Sequence, residues 1–384
     1  MQRRRKFVCG CLSAAVLLTA SAAGSADVRE DHRAWLIRNF DEQAHAILRA
    51  STTQPADNAA GGIAWGDSYV MSALVEMLAA TGDERYAEMF VRLADHVLKA
   101  RDDQHDRRDE YRGTVKPAWG SSKYSDGRWH VWAVHTGMIC EPLARFAAVV
   151  RKNPRLNRGY AAKANEYLAA AQQAVAVHEP DYRPGPAKDE AHLYGAVHRT
   201  HLPLNMQNAL ARAWIYIDDA TGKPDHRELI ERLARFFKNR LRVEPDGALA
   251  WEYRPPLDGS GTKFEDVSHA AINADFIVLC YERGIVFDKR DIDGLEKTLL
   301  TRVIRPDGSV ADHIGGQSGV NAHKAQVMRW ARLAIYCPAV RDRLIRLRRV
   351  EPSSGGGDML GLALLTAASS NTATQHPAYG QNTP

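Results

Sequence analysis

The residues best suited to chemistry gather in one stretch, Trp251-Glu252-Tyr253-Arg254-Pro255, followed by Phe264-Glu265-Asp266-Val267-Ser268-His269. Tyr253 and His269 can pass protons, the histidine near neutral pH. Arg254 offers a planar fork that matches a carboxylate. Trp251 offers a flat apolar platform for a sugar ring, Glu265 a carboxyl group, and Asp266 or Ser268 a cap for a helix beginning there. A second stretch is rich in amides and imidazoles: His198-Arg199-Thr200-His201-Leu202-Pro203-Leu204-Asn205-Met206-Gln207-Asn208. Its amides suit a carboxylate held by neutral groups, and His201 joins Tyr253, Glu265 and His269 as a candidate catalytic residue. Trp65, Asp67, His130, His135, Asn273, His313 and His323 are further polar or aromatic candidates. Several other chemistries lack their residues. There is no GxSxG elbow and no Walker loop. There is no CxxC or HExxH spacing, so neither a metal nor a cofactor is expected. Gly315-Gly316 has no preceding strand and reads as a flexible loop.

These residues must be positioned by helices. No long alternating β-branched run occurs, which argues against a sandwich or a β-helix. Apolar helical segments begin near Asp67, Trp132, Asn205, Ser268 and His323, at intervals of 65, 73, 63 and 55 residues. Each is followed by a turn and a more charged amphipathic helix, roughly 84–100, 158–177, 225–241, 289–303 and 338–349. Thr81-Gly82-Asp83 and Thr221-Gly222-Lys223 are two such turns. The returning segments also resemble one another, with Asp126-Gly127, Asp246-Gly247 and Asp307-Gly308 as turn chemistry. The pattern predicts an all-α (α/α) toroid of about five to seven hairpins in one domain. Apolar helices form an inner ring and charged helices an outer ring, with helix 33–50 and segment 358–368 completing the circle. A solenoid of helical pairs is the alternative, but it does not require aromatic and histidine-rich loops at one end only. In a toroid the loops 102–129, 179–204, 242–267 and 304–321 share one end. Taken singly, each polar residue at an inner-helix start reads as a cap or a core histidine. Placed at equivalent positions of a repeat, they converge on one cup.

Composition limits the partners. The 384 residues are 45% hydrophobic and 25% charged, which excludes a disordered chain, a collagen and a polytopic membrane protein. The formal net charge is +5, and Arg3, Arg4, Arg5 and Lys6 supply four of those charges. Nucleic-acid binding therefore gains no support. Arg341, Arg343, Arg346, Arg348 and Arg349 read as a solvated helix face. Residues 1–26 have the basic, apolar and small-residue order of a signal peptide, by the general or the twin-arginine route. Cleavage is expected after Ala22 or Ala26, leaving no membrane span and placing the chain in the periplasm or outside the cell. Cys140, Cys280 and Cys337 sit in apolar helical contexts and read as buried free thiols rather than a disulfide framework. The toroid domain is expected over 27–369, and 370–384 reads as a disordered tail.

Trp65-Gly66-Asp67-Ser68-Tyr69 and the hairpin order resemble the six-hairpin-glycosidase toroids. His135-Thr136-Gly137-Met138, Asn205-Met206-Gln207-Asn208, Trp251-Glu252-Tyr253 and Glu265-Asp266-Val267-Ser268-His269-Ala270 resemble bacterial toroid proteins related to polyuronate lyases and D-glucuronyl C5-epimerases. The resemblance implies action on a uronate-containing polysaccharide through removal of the C5 proton. His269 or Tyr253 would be the base and Tyr253 the acid. Asn205, Asn208, Arg254 or a protonated Glu265 would neutralise the carboxylate. The Asn-Asn-His string of some alginate lyases is absent. A lyase is the first expectation. The alternatives are a C5-epimerase, an inverting hydrolase pairing Asp67 with Glu265 or Asp266, and a non-catalytic glycan-binding protein.

Overall fold

The inner helices are buried on nearly every side, as segments apolar all round must be. In the computed structural model, which describes residues 14–317 and 323–370, they are α2 (Ser68–Thr81), α4 (Ala133–Lys152), α6 (Leu204–Thr221), α8 (Val267–Glu282), a 3₁₀ helix (Lys324–Ile335) and α11 (Gly356–Ser370). The outer helices are α1 (Ala14–Thr53), α3 (Glu84–Leu98), α5 (Pro154–Ala176), α7 (Arg227–Lys238), α9 (Lys289–Lys297) and α10 (Pro338–Val350). α7 shows why these stay outside: Ile230, Leu233, Ala234, Phe236 and Phe237 bury one face and charged side chains cover the other. Each inner helix packs on the next, and α11 packs on both the 3₁₀ helix and α2, so the ring closes. The architecture is an (α/α) toroid. α1 packs on α11 and α3. Its helical backbone begins at Ala14, ahead of the expected start at 33 and across the expected signal junction at 26. Residues 1–13 of the expected signal peptide, and the expected tail from 371 onward, lie outside the described residues.

Local sequence sets the corners. Gly82 ends α2 at φ +70°, and Asp83 then caps α3 through the Arg85 amide. Asp288 and Asp291 form a capping box on α9. The loops at the other end carry only short antiparallel ribbons. Arg108–Asp109 pairs with Thr114–Val115. Tyr182–Pro184 pairs with Ala191–Gly195, which pairs in turn with Thr200–His201. Arg242–Val243 pairs with Leu249–Ala250.

The axis of the ring is ionic. Arg332 reaches both Glu76 and Asp275, Arg212 joins Asp275 at 2.7 Å to Glu141 at 3.1 Å, and Arg145 pairs with Glu76. The 3₁₀ winding stacks residues three apart, which aligns Arg329 and Arg332 along that axis. Arg329 donates to the Tyr69 hydroxyl and the Ser268 carbonyl. The arginine run on α10 is only partly solvated. Arg348 turns inward to Asp358 at 2.9 Å, and Arg349 lies over Trp35. Cys140, Cys280 and Cys337 are free and buried, as their apolar contexts predict.

Candidate functional site

The N-terminus of α8 organises the site. Asp266 is its cap: the carboxylate accepts from the amides of Ser268 (2.9 Å) and His269 (3.1 Å) and from the Ser268 hydroxyl. Its second oxygen meets His269 Nδ1. Burial alone would raise the Asp266 carboxyl, but the His269 contact, Ser268 and the helix amides outweigh it and hold the group ionised. A carboxylate beside Nδ1 favours the tautomer protonated there, which leaves Nε2 as the acceptor nitrogen. The Tyr253 ring lies beside this imidazole, centroids 5.1 Å apart. Burial keeps the Tyr253 phenol protonated far above its ordinary range.

One residue earlier, Glu265 points inward and is buried. Its Oε2 accepts from the Trp251 indole N–H and from Asn273 Nδ2 at 2.6 Å. Burial, reinforced by the charge of Asp266, pushes the carboxyl far above its ordinary value. Oε1 has no partner. Protonation there would fall on Oε1, the oxygen without a partner. Asn273 Oδ1 in turn accepts from Asn208 Nδ2 at 2.7 Å, which links α6 to α8. Asn205, on the first turn of α6, is buried with both amide atoms unpartnered.

Across α4, His135 is fully buried and held neutral by burial, which lowers its pKa to about 3. Its Nδ1 faces Asn58 Nδ2 at 3.3 Å, its Nε2 has no partner, and Trp65 packs edge-on at 5.4 Å. Tyr124 lies 6.4 Å from this histidine and 6.1 Å from Trp132, and His198 lies against Trp132 at 5.7 Å. Arg254 forms no hydrogen bond or ion pair among the described residues. Its Nε is buried without a partner, and its charge acts on Tyr253, His198 and His201.

Four expected residues stand elsewhere or do another job. Asp67 is turned to Ser51 of α1 and is near His96 of α3, so it does not face Glu265. His201 Nε2 donates to the Pro255 carbonyl at 2.9 Å and packs on Phe236 of the outer ring, which makes it a loop anchor. Trp251 is completely buried between Phe237 and Trp330, so it is a clamp on Glu265 and not an open sugar platform. His313 joins the site by its backbone, which bridges to Asp266. Sequence reasoning missed Asn58. It reaches the Trp119 and Gly120 carbonyls and His135 from a loop with no periodic signal. Tyr124 was visible only as a loop aromatic. The turn that follows it places it at φ +69°, half-exposed.

No family model matches the chain, and no curated protein matches its sequence. Among solved structures it is similar to an inactive variant of an α-1,6-mannanase of Salegentibacter sp. HEL1_6 in complex with α-1,6-mannotriose. The TM-score is 0.56 and the identity 12%, over 88% of this chain and 99% of that one. A second inactive variant of that mannanase, with α-1,6-mannotetrose, gives 0.56 and 12% over 88% and 98%. An unsaturated glucuronyl hydrolase of Bacillus sp. GL1 matches at 0.33 and 15%, over 77% and 96%. The mannanase likeness spans nearly the whole of both chains and concerns the toroid fold.

Proposed function

We propose that the chain is a carbohydrate-active enzyme of the periplasm or cell exterior, a polysaccharide lyase acting on a uronate-containing glycan by β-elimination. The observation that carries this reading is the unpaired Arg254 guanidinium beside the Tyr253–His269 pair. An arginine without a counter-ion next to two proton carriers suits a substrate that brings its own carboxylate. Glu265, neutral and with Oε1–H free, adds a donor that an ionised acid would lack, and Asn205 adds an unpartnered amide. Together they draw charge from the C5 carboxylate and acidify the adjacent C–H. His269 Nε2 takes the C5 proton. The released electron pair forms the C4–C5 double bond as the C4–O4 bond breaks, and the Tyr253 hydroxyl gives its proton to the departing O4. His269 then returns a proton to Tyr253, which balances the cycle without an external reagent.

A hydrolytic reading has one observation in its favour. The similar mannanase is described as inactive when two consecutive aspartates are replaced, and Glu265–Asp266 is a consecutive acidic pair at the start of α8. Asp266, however, is committed to the helix amides and His269, and Asp67 is turned away, so among the described residues neither supplies a second free carboxylate facing Glu265. An inverting hydrolase needs two, roughly 6.5–9.5 Å apart. The test is an ultraviolet scan of purified protein against a panel of uronate polysaccharides. Elimination creates an absorbing unsaturated sugar. Chain shortening without new absorbance would establish hydrolysis instead. No shortening but deuterium uptake at C5 in heavy water would establish an epimerase. No change of either kind would leave a binding protein.

A further inference from the structure

Outside the ring, a cleft of about 500 Å³ opens between the C-terminal end of α1, the end of α3 and the loop after it. That volume lies within the roughly 300–1,000 Å³ of small-ligand sites. Its wall is Trp129, whose indole N–H is fixed on Asp102 at 2.9 Å and whose ring carries the Arg107 guanidinium at 4.1 Å. Lys99 and Arg107 border the cleft, and neither has an ion-pair partner among the described residues. His96 and His105 lie beside them. His105 is fixed on the Lys99 carbonyl at 2.7 Å, and His96 Nε2 is buried without a partner.

The acids facing the cleft are engaged. Asp57 caps the Ala59 amide at 2.9 Å. Asp102 is held by the Gly120 amide and Trp129 and is raised to about 6 by burial. A Cβ on Gly120 would stand 2.1 Å from the Trp129 ring nitrogen, so glycine is what lets the indole seat there. Thr52, Thr53, Gln54 and Asn58 supply hydroxyl and amide groups around the opening. An aromatic wall, a rim of hydroxyls and amides, and two exposed cations with no ion pair among the described residues, one of them within reach of the Asp102 charge, fit one kind of small molecule: a sugar ring bearing an acid group.

We propose that this cleft is a second saccharide site, binding an acidic sugar residue through Lys99 and Arg107, with Trp129 backing the Arg107 guanidinium. It does not depend on the chemistry assigned to the cup. Asn58 borders the cleft and also reaches His135, so the two sites share a wall. A polymer occupying both would be held at a point remote from the bond that reacts.

Calorimetric titration of the full chain with trigalacturonate, and with maltotriose as its neutral counterpart, tests the assignment. The expected result is saturable binding of the acidic probe that survives His269→Ala but weakens about tenfold or more in Lys99→Ala/Arg107→Ala. That variant removes two exposed side chains and leaves the fold intact. Maltotriose should bind more weakly and be indifferent to the pair, and added salt should weaken only the acidic probe. Trp129→Phe keeps a ring but loses the Asp102 bond and should weaken binding further. The proposal is overturned if neither probe saturates, if the double variant binds like the parent, or if His269→Ala alone abolishes binding, which would move the acidic probe to the cup.

Discussion

At the scale of single residues, the site depends on one carboxylate doing two jobs. Asp266 caps α8 and sets the His269 tautomer, and the two can be separated. Asparagine caps a helix about as well as aspartate, but its amide is no anion. Asp266→Asn should therefore leave the melting temperature nearly unchanged while turnover falls sharply, read from the initial rate of ultraviolet absorbance. His269→Ala should lose roughly 10²–10⁴-fold, the usual worth of a positioned proton carrier, with the helical circular dichroism unaltered. A normal rate in both variants would remove His269 from the mechanism. In the proposed elimination Arg254 serves binding as well as charge development. Arg254→Lys keeps the charge but loses the fork, so the KM for an acidic substrate should rise several-fold with a smaller loss in kcat. Equal kinetics would show that the guanidinium faces no substrate carboxylate.

At the scale of elements, the alternation of apolar and charged helices was legible because burial on one side or on all sides leaves a different period in the sequence. The inner-helix starts near Asp67, Trp132, Asn205 and Ser268 fall within a residue of the observed ones. The direction of individual side chains was not legible. Asp67 sits immediately before α2, yet the wide π-helical turn over Ile63–Asp67 sends it outward to Ser51. His201 lies on a short strand, where neighbouring residues face opposite ways, and it drew the face toward Phe236. Trp251 has the residue type of a sugar platform, but the segment just after the Leu249–Ala250 strand sets it beneath Trp330. Only packing separates a clamp from a platform. Packing is equally decisive between α4 and α6. A Cβ on Gly137 would stand 2.3 Å from the Ala209 carbonyl carbon and 2.4 Å from the Leu210 nitrogen. Both obstacles are backbone, so nothing can rotate away. Gly137→Ala should force the two helices apart, costing at least roughly 1–3 kcal/mol, as measured by urea unfolding. It should also impair turnover, because His135 and Asn208 ride on those helices. Unchanged stability would contradict the close approach.

At the scale of the whole molecule, closure of the ring buries polar groups that an open arrangement of helices would leave wet. Around the axis Arg145, Arg212 and Arg332 pair with Glu76, Glu141 and Asp275, while Arg329 is held by the Tyr69 hydroxyl and the Ser268 carbonyl. Breaking such a pair on one side strands a buried charge. The histidines behave differently, because burial keeps them neutral rather than paired. His135 is lowered to about 3 by burial. His178, which faces Asp181 and Thr136 and feels the charge of Arg112, is lowered to about 4, chiefly by burial. In the unfolded chain both would titrate near 6.5. Between those values the unfolded state binds more protons than the native one, so stability is full above about pH 6.5 and falls as the pH drops toward 4. Each of these two histidines should cost about 2 kcal/mol between pH 7 and 5. Carboxylates held low by arginines, such as Glu76 and Asp275, add their loss only as the pH falls to about 4 and below. Asp102, raised to about 6 by burial, takes up a proton in the native state between pH 7 and 5 and offsets part of the histidine loss. Urea unfolding at pH 7, 6 and 5 should show a steady decline, and replacing His178 with Gln should flatten part of it while keeping a side chain able to bond Thr136. A curve flat from pH 7 to 5 would mean that one or both imidazoles already carry a proton inside the ring.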